Sequence, residues 1–142
     1  MNVNLRESYA HCRQIARGSA SSFYYSFLLL PKRKRMAMCA LYAFLRRTDD
    51  LGDSGEPEAE RRSGLKAWRQ ALERAQSGDH HDLLFPALAD TMQAFRIPLE
   101  YLHDVIDGVE MDLEPVAYQT FEHLEQYCQR VASSVGLACL RI

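Results

Sequence analysis

With 142 residues, 47% hydrophobic and 25% charged, the chain has enough apolar mass for one buried core and an ordinary globular composition. A formal net charge of -2 gives no global reason to expect a nucleic-acid partner. The longest apolar run, MAMCALYAFL, is too short for a membrane span, and MNVNLRES lacks the apolar core of a secretory signal. Cys12, Cys39, Cys128 and Cys139 lie far apart with no CxxC pair. That spacing fits reduced thiols of a cytosolic protein better than a disulfide framework or a zinc site.

Apolar spacing is helical almost throughout, and no segment alternates as a strand does. A first helix is predicted over residues 3–16, ending near Gly18. GSASS reads as a small-residue loop, and SFYYSFLLL opens a short apolar helix. Pro31 suits the first turn of the next helix, which carries KRKRMAMCALYAFLRRTDDL and ends at Gly52. DSGEPEAE is an exposed connection, followed by an amphipathic helix over 57–76 with Leu65, Trp68 and Leu72 turned inward. Pro86 and Pro98 each mark a helix start, giving segments 82–95 and 98–113. Pro115 closes that stretch, and Thr120 is the predicted N-cap of a last helix. With no repeat, low-complexity tract or linker, residues 1–142 are predicted to form a single all-α domain. The ending, YCQRVASSVGLACLRI, stops in mid-pattern without a polar tail, as a chain cut inside a helix would.

ALYAFLRRTDDLGD carries the charge pattern that needs explaining. At about 100° per residue, Tyr42, Arg46, Asp49 and Asp53 share one narrow helix face. Met38, Leu41 and Leu45 flank that stripe, and Ala40, Ala43 and Phe44 make the far side apolar too. A helix hydrophobic nearly all round is normally buried, and buried carboxylates need a partner. One reading pairs Arg46 and Arg47 with the aspartates, which then simply end the helix. Carboxylates at a helix C-terminus oppose its dipole, however. The other reading is a divalent cation such as Mg²⁺ held by two carboxylates at i and i+4.

EYLHDVIDGVEMDLE is a second acidic stretch: Asp104 and Asp112 share the face that Gly108 keeps open, with Asp107 one turn from Asp104. Either tight packing or a ligand lies against Gly108, or this is an ordinary helix with a solvated acidic face. Glu100 and His103 form one E-x-x-H pair, whereas a di-iron bundle needs two such pairs and two further glutamates. His80 and His81 read as surface residues, and KRKR as a solvated first turn able to meet an anionic membrane or substrate.

SSFYYSFLLLPKRKRMAMCALYAFLRRTDDLGD resembles the N-terminal signature of squalene/phytoene synthases, the head-to-head prenyl synthases. In that family a Ser-Phe segment leads through Leu-Leu-Pro to a Tyr-Ala-x-x-Arg helix and a DxxxD motif, here Asp49 to Asp53. DGVEMDL is similar to the family's E-G-M-x-M-D-L segment, and YCQRVASSVG to its Y-C-x-x-V-A-x-x-V-G helix. The resemblance implies the N-terminal half of an isoprenoid-synthase helical bundle. By the same resemblance Asp49 and Asp53 bind Mg²⁺ bridging a prenyl diphosphate, with Asp50 in the motif and Asp112 near the metal. Arg46 and Tyr42 would contact the diphosphate, with Ser21 and Ser22 at the flap that approaches it. Tyr127, Val131 and Val135 would line the cavity for the isoprenoid tails.

The implied reaction condenses two farnesyl or geranylgeranyl diphosphates to a presqualene- or prephytoene-type product. Mg²⁺ and arginine stabilise the departing diphosphate, and a dry apolar pocket keeps water from the allylic cation. The acidic end of the helix would then face the mouth of a greasy cavity. Two features depart from the family. Its second aspartate-rich motif falls beyond residue 142, and its flap histidine is replaced in the Gly18–Ser19 neighbourhood. The expectations are therefore a cytoplasmic protein, able to make peripheral contact with a membrane, with little turnover alone. A truncated or partner-dependent isoprenoid-binding scaffold is the alternative.

Overall fold

The computed structural model describes residues 4–18, 22–79, 82–111, 113 and 134–142. No strand occurs among them, as the all-α reading expects. The helices are α1 (Leu5–Gly18), α2 (Ser22–Phe27), α3 (Lys32–Gly52), α4 (Glu58–Ala75), α5 (Phe85–Phe95), α6 (Leu99–Met111) and α7 (Ser134–Arg141). Pro31 and Pro57, both at φ -54, stand immediately before α3 and α4, where a missing N–H costs nothing. Pro86 sits in the first turn of α5. That helix ends on Arg96 in the left-handed region at φ 54, its N–H donating to the Met92 carbonyl. Pro115, Thr120, His80 and His81 lie outside the described residues.

The long helix α3 is the hub, packed against α1, α2, α4, α5 and α6. Its inner side gives Ala40, Leu41, Ala43 and Phe44 to the main core, where they meet Leu65, Leu72, Phe85, Leu88, Leu102 and Ile106. Trp68 of α4 stacks on Phe44 at 5.8 Å and 14°, and tilts against Phe85 at 4.9 Å. Leu65 and Leu72 are fully buried as predicted, whereas Trp68 keeps part of its ring accessible.

Hydrogen bonds fix α1 onto this frame. Buried Ser8 donates to the Leu83 carbonyl at 2.5 Å and accepts the Ala87 N–H at 2.8 Å. The Tyr9 hydroxyl sits 2.6 Å from Asp90 and 3.0 Å from Thr91. Cys12 and Cys39 are buried, and they and Cys139 carry free thiols; Cys128 lies outside the described residues. Among the described residues no helix is long and apolar enough to cross a membrane.

Candidate functional site

The site is built where α3 ends. Thr48, fully buried, accepts the Trp68 indole N–H at 2.9 Å and donates to the Phe44 carbonyl at 2.8 Å. This fixes the residue immediately before Asp49 against α4. One turn later Gly52 meets α6 so closely that a Cβ there would lie 2.5 Å from Val109 Cγ1. Only glycine fits that crossing. Asp53 caps α3, its N–H donating to the Asp49 carbonyl at 2.9 Å.

Between these elements lies a recess of about 90 Å³ walled by Asp49, Gly52, Asp53, Arg61, Val109 and Leu113. The recess brings together the two outer carboxylates of DxxxD, as the helix spacing predicts. It also contains Arg61 of α4, which the sequence reading did not single out. Arg61 Nη1 donates to the Gly52 carbonyl at 3.1 Å, and its buried Nε has no hydrogen-bond partner among the described residues.

One expectation is corrected here. Asp49, Asp50 and Asp53 are exposed, as is Arg46, so the three carboxylates carry no burial penalty that a metal must offset. The all-apolar reading of α3 rests on residues 36–45, and the open polar face begins one residue later. Arg46 pairs with Asp50 at 3.4 Å, with side chains 48% and 55% exposed. A pair so wet contributes at most about 1 kcal/mol. Tyr42 is half-buried and meets Phe27 edge-on at 6.1 Å.

The second acidic stretch behaves differently from the first. Arg69 of α4 pairs with Asp107 and stands 3.6 Å from Glu110, so the acidic face of α6 is tied to its neighbour. Arg69 Nη1 also lies 2.9 Å from His103 Nδ1. A guanidinium only donates, which makes Nδ1 the acceptor and leaves the ring N–H on Nε2, 3.6 Å from Glu73. His103 is thus engaged in helix packing and Glu100 is exposed, contrary to a di-iron E-x-x-H arrangement. Gly108 is buried rather than holding a face open.

The remaining site residues are placed only in part. Ser22 opens α2, and Val135 of α7 is half-buried against the main core. Ser21, Asp112, Tyr127 and Val131 lie outside the described residues. The recess at the acidic end is far smaller than the roughly 300–1,000 Å³ typical of ligand pockets, so it suits a cation or phosphate oxygens and not a prenyl tail. A larger concavity of about 430 Å³ lies along the other half of α3, lined by Arg6, Tyr9, Arg13, Tyr24, Lys32 and Arg35 among others.

The profile of the squalene/phytoene synthase family matches residues 16–142. The chain belongs to that family. It is 41% identical over 135 residues to a 15-cis-phytoene synthase of Synechococcus elongatus, covering 95% of this chain and 44% of that protein. A phytoene synthase of Daucus carota is 36% identical, with 94% and 33% covered. A squalene synthase from Alicyclobacillus acidocaldarius superposes with a TM-score of 0.88 at 31% identity, covering 99% of this chain and 53% of the other. A dehydrosqualene synthase solved with a ligand superposes at 0.85, with 33% identity and 96% and 47% covered. The chain thus spans about half the length of the solved relatives, and less of the curated ones.

Proposed function

We propose that residues 1–142 form one domain carrying the first aspartate motif of a head-to-head prenyl synthase site. The observation behind this reading is the recess that sets Asp49 and Asp53 side by side on the family's DxxxD segment. Its substrates would be farnesyl or geranylgeranyl diphosphate, and its product of the presqualene or prephytoene type. Relatives named as phytoene synthases support that class of reaction.

The donor set suits Mg²⁺. That ion prefers oxygen ligands and is commonly held by one or two carboxylates, with water and substrate phosphates completing the shell. Asp49 and Asp53 would hold it, with Asp50 and Asp112 as further candidates. Bound there, Mg²⁺ would supply charge neutralisation for a leaving diphosphate. Arg46 and Tyr42, on the same face of α3, would orient the diphosphate. Ser21 and Ser22 would close over it, and Tyr127, Val131 and Val135 would shield the tails from water. KRKR at the far end offers contact with an anionic membrane surface, in keeping with a cytoplasmic, peripheral location.

The second reading is a scaffold that binds isoprenoid diphosphates and depends on a further segment or chain for catalysis. The chain covers 47% and 53% of its solved relatives, and that share favours this reading for the 142 residues alone. Little or no condensed product is expected from them, and robust product formation would remove this second reading. Calorimetric titration with an unreactive farnesyl thiodiphosphate tests the site itself. Binding should require Mg²⁺ and vanish in Asp49→Asn with helix content unchanged; binding that survives the substitution would contradict the assigned role.

A further inference from the structure

We propose that Arg61 is a positioning residue for the carboxylate pair, a role that rests on the diphosphate-site reading above. The last turn of α3 is electrostatically awkward. Asp49, Asp50 and Asp53 crowd the negative end of the helix dipole, and α3 has no basic residue of its own in that turn. Arg61 supplies that cation from a different helix. Its Nη1 holds the Gly52 carbonyl, one of the orphan acceptors left by the helix end.

Gly52 lies between the two carboxylates in sequence, and the Asp53 N–H closes back on Asp49. Fixing the Gly52 carbonyl therefore fixes the turn that spaces Asp49 from Asp53. From the other side Val109 presses on Gly52, so the peptide is clamped between α4 and α6. The guanidinium also walls the recess beside both carboxylates and lowers their mutual repulsion while no cation is bound. Its Nε is buried without a described partner. A donor left unpaired in this way is costly.

The test compares wild type, Arg61→Gln and Arg61→Lys in the full 142-residue chain by two readouts. The first is amide exchange at Asp53, referenced to the buried Leu41 and Leu65 amides. The second is titration with Mn²⁺ and inorganic diphosphate. In Arg61→Gln, Asp53 exchange should rise about tenfold with the reference amides unchanged, and Mn²⁺–diphosphate binding should weaken by a similar factor, as for loss of one charge-assisted hydrogen bond. Arg61→Lys should fall between the two. Unchanged Asp53 exchange, or a uniform rise that includes Leu41 and Leu65, would overturn the proposal. If wild type takes up no Mn²⁺–diphosphate while Asp53 exchange still responds, the diphosphate reading fails and the Arg61 tether stands.

Discussion

The two ends of α3 break the same electrostatic rule in opposite senses. At its start, Lys32, Arg33, Lys34 and Arg35 stack four cations where the helix dipole is positive. At its finish, three carboxylates stand where the dipole is negative. About 25 Å of helix separates them at 1.5 Å per residue. The neighbours treat the two ends differently. The basic end is wide and wet, with Arg33 lying over the Phe95 ring at 5.2 Å and Leu29 88% exposed beside it. The acidic end is gripped by Thr48–Trp68, by Gly52 against Val109 and by Arg61. Charge alone does not mark a site. Charge held by buried contacts from two other helices does.

If the acidic end is the clamped one, damage there should outweigh damage at the basic end. Gly52→Ala drives a methyl into Val109 and should destabilise the chain by about 1–3 kcal/mol, read from the urea midpoint. Thr48→Val leaves the Trp68 indole N–H without its acceptor and should cost about 1 kcal/mol, with a shift in tryptophan fluorescence. At the basic end the sign reverses. Lys34→Glu places an acid in the first turn of α3 and should stabilise it by about 0.3–1 kcal/mol, leaving Mg²⁺-dependent binding unchanged. A loss of stability there would show that the basic end is clamped too.

The packing of α1 on α3 should also respond to alkali. On the α1 side of α3, burial pushes the Cys12 thiol up from 9.0 to about 12, and the Cys39 thiol upward as well. A raised thiol is neutral in the folded chain while the unfolded chain ionises first. Its contribution is therefore complete below pH 9 and lost as pH rises towards about 12. The urea midpoint should fall across that window, and Cys12→Ala should flatten part of the fall.

Helix boundaries were the most legible feature, because punctuation is local. Pro31 and Gly52 bracket α3 in both sequence and structure, and Pro86 opens α5. The sequence predicts the first helix at 3–16 and the structure has it at Leu5–Gly18, since nothing before the small-residue run forces an earlier stop. The juxtaposition of Asp49 with Asp53 was legible from the four-residue spacing alone. Arg61 was not. It lies in the charged first turn of α4, where its neighbours Glu58, Glu60 and Arg62 give no local sign that one guanidinium turns back towards Gly52. Arg69 is illegible for the same reason, since its link to His103 and Asp107 joins residues more than thirty positions apart. Exposure of the aspartates is not legible from the apolar middle of α3, because the helix opens a polar face after Leu45.

The most direct test asks which end of α3 holds the diphosphate. Mn²⁺ in place of Mg²⁺, with an unreactive farnesyl thiodiphosphate, broadens amide resonances near the metal. Broadening should centre on residues 49–53 and on Arg61 and Val109, which wall the same recess. Broadening centred on residues 32–35, or none at saturating ligand, would contradict the assignment of the acidic end as the site.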